Sequence, residues 1–572
     1  MASREFLLLP NEIRHLIYKA YFTLEDGYAF QSGSGKLAAA DGQPLDLALM
    51  YTCRLIASET KNLPLELNVV SFSTVYHPEW RRWAGRFDYL LRTQHLMQTH
   101  ILAVLGNSGH ITPAIYEEVG ERFPWFVAAL KDVVNDPQRI IHTIIPDRYL
   151  DGVACYREWS LYRTTVPRDR VFQGTTGSRY EITHAVKFTL RLVAQQLQIK
   201  SGSDLGEFLV GWRGWKGDRQ DLIDFLDECY EPWDMPSWSD LESMGRRLED
   251  DDKWSRLQLW EVDDWKMATA AYRSKYRFSA AAVAIRFLRH LPLGKRLSLR
   301  AMLLREDHIA VGFQECHSNG LIPFLQENPR LRVEHRVSML TNIIQAASML
   351  HDVYLFILRP EEQRPSINGN WVFQKVSDWS VEALATVDAG MPTGFYSLII
   401  DGEPAINLCS EVFQQSVQRS RAFFIAVETC FPRLLERHSL TALSLRQRRA
   451  VEALTHLTHE TSVIRCNFNP GQLWDIDRFV KDFEGLAIDT DGGLSELNHK
   501  YKTSEESKFH LPIPPSSWVD LMMDNWESRE ILTYRDRREA GMNPKDVPPI
   551  YGSRVYDTWR NSIRASGHGA SS

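Results

Sequence analysis

Leu9-Pro10-Asn11-Glu12-Ile13-Arg14-His15-Leu16-Ile17-Tyr18-Lys19-Ala20-Tyr21, followed by Tyr51-Thr52-Cys53-Arg54-Leu55-Ile56-Ala57-Ser58-Glu59, is the stretch around which the chain is organised. Pro10 suits the first turn of a helix, because the N–H it lacks would be unpaired there anyway. Glu12 then places a negative charge where the helix dipole favours one. Ile13, Leu16, Ile17, Ala20 and Tyr21 recur at helical spacing and predict one apolar face, with Arg14, His15 and Lys19 on the wet side.

Residues 23–44 carry Gly27, Gly33, Gly35 and Gly42 and read as a loop. Gly33-Ser34-Gly35-Lys36 within it is not a phosphate-binding loop. Phe30 stands where the first glycine is required, and Leu37 where Ser or Thr would meet magnesium. Periodicity resumes at Leu49, Met50, Cys53, Ile56 and Ala57, a second helix with Asp46 available as its cap and Pro64 as its end. Leu67 to Tyr76 is β-prone. Two helices this short cannot bury enough surface to stand alone. Their apolar faces must meet either the rest of the chain or another protein.

Leu9-Pro10-x-Glu12-Ile13-Arg14-x-x-Ile17-Tyr18, then Thr52-Cys53-Arg54-x-Ile56-x-x-Glu59, then Asn68-x-x-Ser71-Phe72, resembles the F-box-like start of many uncharacterised fungal proteins. The resemblance covers roughly the first 75 residues, and a second segment, Arg305 to Val311 with Glu315 to Pro329, is similar to the same proteins. An F-box docks on the Skp-type adaptor of cullin ubiquitin ligases. The resemblance therefore implies a Skp-type partner, with Leu9, Pro10, Ile13, Ile17 and Cys53 as the matching apolar positions. Two departures stand out: the inter-helix loop is longer than in an ordinary F-box, and Leu55-Ile56 replaces the usual Trp after Cys-Arg.

The 572 residues suffice for two to four domains, and 44% apolar with 24% charged residues is an ordinary globular composition. A net charge of −7 gives no overall positive field for nucleic acid. The cysteines are Cys53, Cys155, Cys229, Cys316, Cys409, Cys430 and Cys466, odd in number and without a Cys-x-x-Cys pair, which argues against a disulfide framework or zinc ribbon. No apolar run approaches membrane-spanning length, and the four-residue run before Pro10 is too short for a signal peptide. The expected setting is intracellular, cytoplasmic or nuclear.

Five segments are expected: a helical module at 1–76, a helical region at 77–211, an acidic Trp-rich segment at 212–266, a mixed region at 267–500 and a C-terminal extension at 501–572. Helices are expected over Trp80 to Leu105, over Ile111 to Val133 with an interruption at Pro124, and over His184 to Ile199. In the Trp-rich segment the tryptophans are expected to pack inward while the acids solvate one face. Ser279 should cap a helix of Ala280 to Leu291, and Leu297, Leu299, Ala301 and Leu303 alternate as a strand. Helix, turn and strand there resemble one unit of a leucine-rich repeat, but no fixed period recurs. Gly394 to Ile400 and Val463 to Phe468 read as strands, Glu411 to Thr429 and Leu445 to His459 as helices.

Catalytic patterns are sparse. His456, His459 and Glu460 with Cys466 nearby could share a helix face, but His-x-x-His-Glu is not a zinc-hydrolase spacing. Cys316 beside His317, or His308 from the preceding strand, could supply a nucleophile and base, although sequence neighbours seldom face each other. A buried structural cysteine is the default. The expected fold is α+β and mainly helical, a small helical module on a larger body with short strands. The expected function is a non-enzymatic adaptor linking a substrate protein to a cullin-type ligase, with no catalytic residue, metal or cofactor assigned. The alternatives are an interaction or structural protein whose helices pack on its own core, and an enzyme around His308, Cys316 and His317.

Overall fold

Six parallel strands lie side by side in the order in which the chain makes them. In the computed structural model, β1 (Tyr28–Gln31), β2 (Lys36–Ala39), β3 (Val69–Ser73), β4 (Ala301–Glu306), β5 (Arg332–Ser338), β6 (Tyr396–Asp401) and β7 (Ile464–Cys466) form one sheet ordered β2-β1-β3-β4-β5-β6-β7. Only the β1–β2 pair is antiparallel. The structure describes residues 6–135, 178–196, 219–247, 272–347, 366–431, 441–483, 497, 501, 508–510, 524 and 526–528. The fold is α+β and mainly helical.

Parallel neighbours need long crossovers, and helices fill them. Pro78–Asn107, Pro113–Arg122, Pro124–Asn135, Arg179–Gln196, Arg219–Glu228, Trp238–Gly245 and Ala280–His290 separate β3 from β4. Ala280–His290 packs on β3 and β4, and its first residues, Ala280, Ala281, Ala282 and Ala284, are small enough for close approach to the sheet. Ser279 caps it as expected, its Oγ accepting from Ala282 N at 2.9 Å. Phe30, Phe72 and Phe287 interlock between sheet and helix, with ring centroids 5.4–6.1 Å apart. The Gly369–Asp388 helix between β5 and β6 is buried on every side and forms the centre of the helical layer.

The side chains of β4, β5 and β6 alternate strictly, one set buried and the other half-buried or exposed. The buried set carries a polar bridge: Glu306 accepts from Ala280 N (3.1 Å), Ala281 N (3.0 Å) and His335 Nε2 (3.3 Å), while His335 Nδ1 meets the Tyr396 hydroxyl at 3.0 Å. One carboxylate thus caps a helix and ties β4 to β5, and through His335 to β6.

Most expected elements are present with shifted ends: Pro78–Asn107, the pair Pro113–Arg122 and Pro124–Asn135, Arg179–Gln196, Ala280–His290, β6, Thr441–His459 and β7. Four readings need correction. The glycine-rich 23–44 stretch contains the β1–β2 hairpin, turning through Gly35 at φ +67°. The second N-terminal helix is broken into a 3-10 turn, Ala48–Tyr51, and two helices, Arg54–Thr60 and Leu63–Leu67, with Pro64 opening the last rather than ending anything. The strand expected from Leu297 begins at Ala301, and it buries Met302 and Leu304 rather than Ala301 and Leu303. The Glu411 to Thr429 helix is interrupted by a π-turn at Phe413–Gln418. Of the tryptophans in 212–266, Trp233 packs inward and Trp238 is exposed, with Arg86 over its ring; Trp212, Trp215, Trp254, Trp260 and Trp265 lie outside the described residues.

The first 76 residues are continuous with the body through the sheet, because β3 pairs with β4 along its whole length. Their helical part has a separate small core of Tyr18, Phe22, Ile56 and Leu63. Asn68 ties the two together: its Nδ2 donates to Phe22 O (2.7 Å) and Pro64 O (2.8 Å), and its Oδ1 accepts from Leu24 N (2.8 Å). Gly27 passes so close to β3 that a Cβ there would lie 2.4 Å from Val69 O, at a φ of +68° that other residues rarely adopt.

Candidate partner-docking face

The Asn11–Phe22 helix presents two adjacent i, i+4 rows, Arg14-Tyr18-Phe22 and Ile13-Ile17-Tyr21. The structure packs the first row. Arg14 and Tyr18 converge on Glu59 of the Arg54–Thr60 helix: Arg14 Nη2 lies 2.5 Å from Oε1, Arg14 Nε 3.2 Å from Oε2, and the Tyr18 hydroxyl 2.7 Å from Oε2. The Arg14 hydrogen bonds hold the Glu59 carboxyl below its usual range. Burial, then the bond to Glu59, pushes the Tyr18 phenol up to about 12. Phe6 sits against Tyr18, ring centroids 5.8 Å apart, and Arg14 Nη1 donates to Leu9 O at 2.6 Å.

The second row is left out. Ile13 is 43% exposed, Leu16 61% and Ile17 40%, and Tyr21 is exposed too. The predicted apolar stripe exists, but it faces away from the chain's own core, and the side expected to be wet is the packed one through Arg14. The reason is size and pairing: two aromatic rings and a bidentate ion pair outweigh two isoleucines when only one row can be covered. Nine of the twelve large apolar side chains exposed among the described residues precede residue 70, so the exposure is local to this region.

Flanking elements extend the face. Leu8 before the helix and Tyr51 on the 3-10 turn are each 82% exposed, and Leu55 on the Arg54–Thr60 helix is exposed as well. Tyr21 faces Asp46, just before that turn, and their interaction lowers the Asp46 pKa and raises that of Tyr21. Asp46 accepts from Ala48 N at 3.0 Å.

Of the five positions assigned from sequence, Ile13, Ile17 and Pro10 are exposed, and Pro10 precedes the helix as its cap, its carbonyl accepting from Ile13 N and Arg14 N. Leu9 is half-buried. Cys53 points to the small core and starts the Arg54–Thr60 helix, its carbonyl accepting from Ala57 N at 2.9 Å. Cys53 is half-buried, like Leu9, and packs against the small core of the module. Leu8, Tyr51 and Leu55 were missed, and only the Leu7-Leu8-Leu9 run offered a signal for any of them.

The enzyme alternative required Cys316 and a histidine ring within hydrogen-bond reach. Cys316 donates to Phe313 O (3.1 Å), and burial drives its thiol well above the ordinary range. His317 instead bonds Ser279 Oγ through Nδ1 (2.6 Å) and Gly312 O through Nε2 (2.7 Å), and burial lowers its pKa. Because a carbonyl can only accept, Nε2 carries the proton and Ser279 donates to Nδ1. Ser279 is simultaneously the Ala280–His290 cap, and all three side chains are buried, so the cluster works as a helix cap. His308 Nδ1 lies 3.4 Å from Asp307.

His456 bonds Thr461, His459 bonds Thr455 O, and Cys466 donates to Phe468 O, so these side chains are turned to separate partners. Among the described residues no group of three or more His, Cys, Asp or Glu could hold a metal ion. No described helix is long and apolar enough to cross a membrane. No family model, curated protein or solved structure matches the chain.

Proposed function

We propose that the chain is an adaptor: the exposed Ile13-Leu16-Ile17-Tyr21 row docks on a Skp-type protein, and the sheet body holds a substrate protein for a cullin-type ubiquitin ligase. The observation that carries this reading is the outward orientation of Ile13 and Ile17, two positions that match the F-box-like pattern, on a helix already anchored by its other row. The mechanism is proximity, which raises the effective concentration of substrate beside the ligase without new chemistry. Burying an isoleucine face of this kind is worth on the order of 1.5–3 kcal/mol per fully covered side chain. A few such side chains with well-placed rim contacts make a specific complex.

Co-purification of the full chain with a Skp-type adaptor tests the reading, comparing wild type with Ile13→Asp/Ile17→Asp. The expected result is capture by wild type and none by the variant, with the same circular dichroism spectrum for both. Absence of capture by wild type would remove the adaptor role and leave an interaction protein with another partner.

A further inference from the structure

The less buried face of the sheet carries its own pattern. Strand register aligns Ser73, Arg305, Arg336, Ile399 and Arg465 in one row across β3, β4, β5, β6 and β7. The next row is Ser71, Leu303, Glu334 and Ser397, followed by Val69, Ala301 and Arg332. Arg305, Arg332 and Arg465 are exposed.

The charges on this face do not balance. Two of its carboxylates, Glu334 and Asp401, both pair with Arg336, at 2.5 Å and 3.3 Å, and a third, Asp307, follows Arg305 in the same alternation and lies beside His308. Arg332 lies over the Phe395 ring at 4.0 Å and donates to the carbonyls of Pro329 and Leu331. Arg305 and Arg465 have no carboxylate within ion-pair distance among the described residues. Arg305 stands directly opposite Arg336, and the carboxylates that pair with Arg336 leave none in contact with Arg305. In a chain with net charge −7, a face with this excess of cations is complementary to an acidic ligand.

We propose that this open sheet face binds an extended acidic segment of a partner protein, with carboxylates four residues apart set against Arg305 and Arg465. Strands lie about 4.8 Å apart, so the three spacings from β4 to β7 place the two arginines roughly 14 Å apart. An extended peptide advances about 3.3 Å per residue, so side chains at i and i+4 span a closely similar distance. A residue midway between them, about 6.6 Å along, would fall between Arg336 and Ile399, with Leu303 in the neighbouring row. Nucleic acid fits less well, because Ile399 interrupts the row and carboxylates flank it, which breaks a continuous track of cations. Single, separated arginines suit single carboxylates better than phosphate, whose three oxygens reward converging cations. The proposal stands on the sheet alone and does not require Skp-type docking.

The test is fluorescence anisotropy with the full chain and a fluorescein-labelled peptide bearing Glu at every fourth position, Val midway and Ser elsewhere. Binding is expected to weaken as salt rises, and to fall at least tenfold in Arg305→Glu/Arg465→Glu. Arg305→Gln/Arg465→Gln should also weaken it, which keeps the test valid if charge reversal disturbs folding. Ile13→Asp/Ile17→Asp should bind as wild type does, so this result is separable from the adaptor test. No binding of the acidic peptide, unchanged binding by both arginine variants, or tighter binding of a control peptide with Gln or phosphoserine in place of each Glu, or of a single-stranded oligonucleotide, would overturn the proposal.

Discussion

The helical module and the sheet body build their interiors at very different scales. The module buries Tyr18, Phe22, Ile56 and Leu63 around one carboxylate clamp, whereas the body buries both layers of a continuous sheet-and-helix core. The module cannot cover all its apolar surface, so one of two adjacent rows stays in water. The body covers its apolar faces and keeps its exposed sheet positions largely polar. Amphipathicity therefore means different things in the two regions. In the body it marks the core, and in the module it marks the surface left over.

That contrast can be broken by substitution. The largest effect is expected for Leu304→Asp, which buries an unpaired charge in the fully covered face of β4 and should cost more than about 4 kcal/mol. Loss of the cooperative thermal transition would show it. Phe22→Ala should cost on the order of 3 kcal/mol, but locally. Hydrogen exchange should accelerate over residues 11–22 and 54–67 while β4 to β6 remain protected. Equal acceleration in both would show that module and body share one core after all.

Glu59→Gln should have a smaller effect that depends on pH. The Glu59 pKa is lowered in the folded chain, so its contribution is present above the unfolded carboxylate value and is lost as pH falls through the folded one. Wild type should therefore outlast Glu59→Gln at neutral pH, with the gap in melting temperature closing in acid below the ordinary carboxylate range. A gap that persisted at the lowest pH would mean the clamp is not what Arg14 and Tyr18 provide.

Much of the fold was legible because its signals were local. Ser279 before a run of alanines, Pro124 as a break between two helical stretches, and the β-prone stretch at Val69 each act within a few residues. The sheet order was not legible, since β3 and β4 are separated by more than two hundred residues and no periodicity spans that distance. The strands from β4 onward start at 301, 332, 396 and 464, intervals too unequal to read as a repeat. For the candidate face, the stripe was visible but its direction was not. Periodicity says which residues share a side, whereas the side that packs was chosen by Glu59, a partner some forty residues away. The packing of Cys53 was hidden for the same reason, because it depends on how two helices meet.

The most direct test of this account needs no partner. Thermal unfolding of Ile13→Asp/Ile17→Asp should match wild type closely, since exposed substitutions usually stay within about 0.5 kcal/mol, whereas Tyr18→Asp/Phe22→Asp should lose the module. A double isoleucine variant that unfolds as readily as the aromatic one would contradict the central claim, because the row assigned to a partner would then be part of the chain's own core.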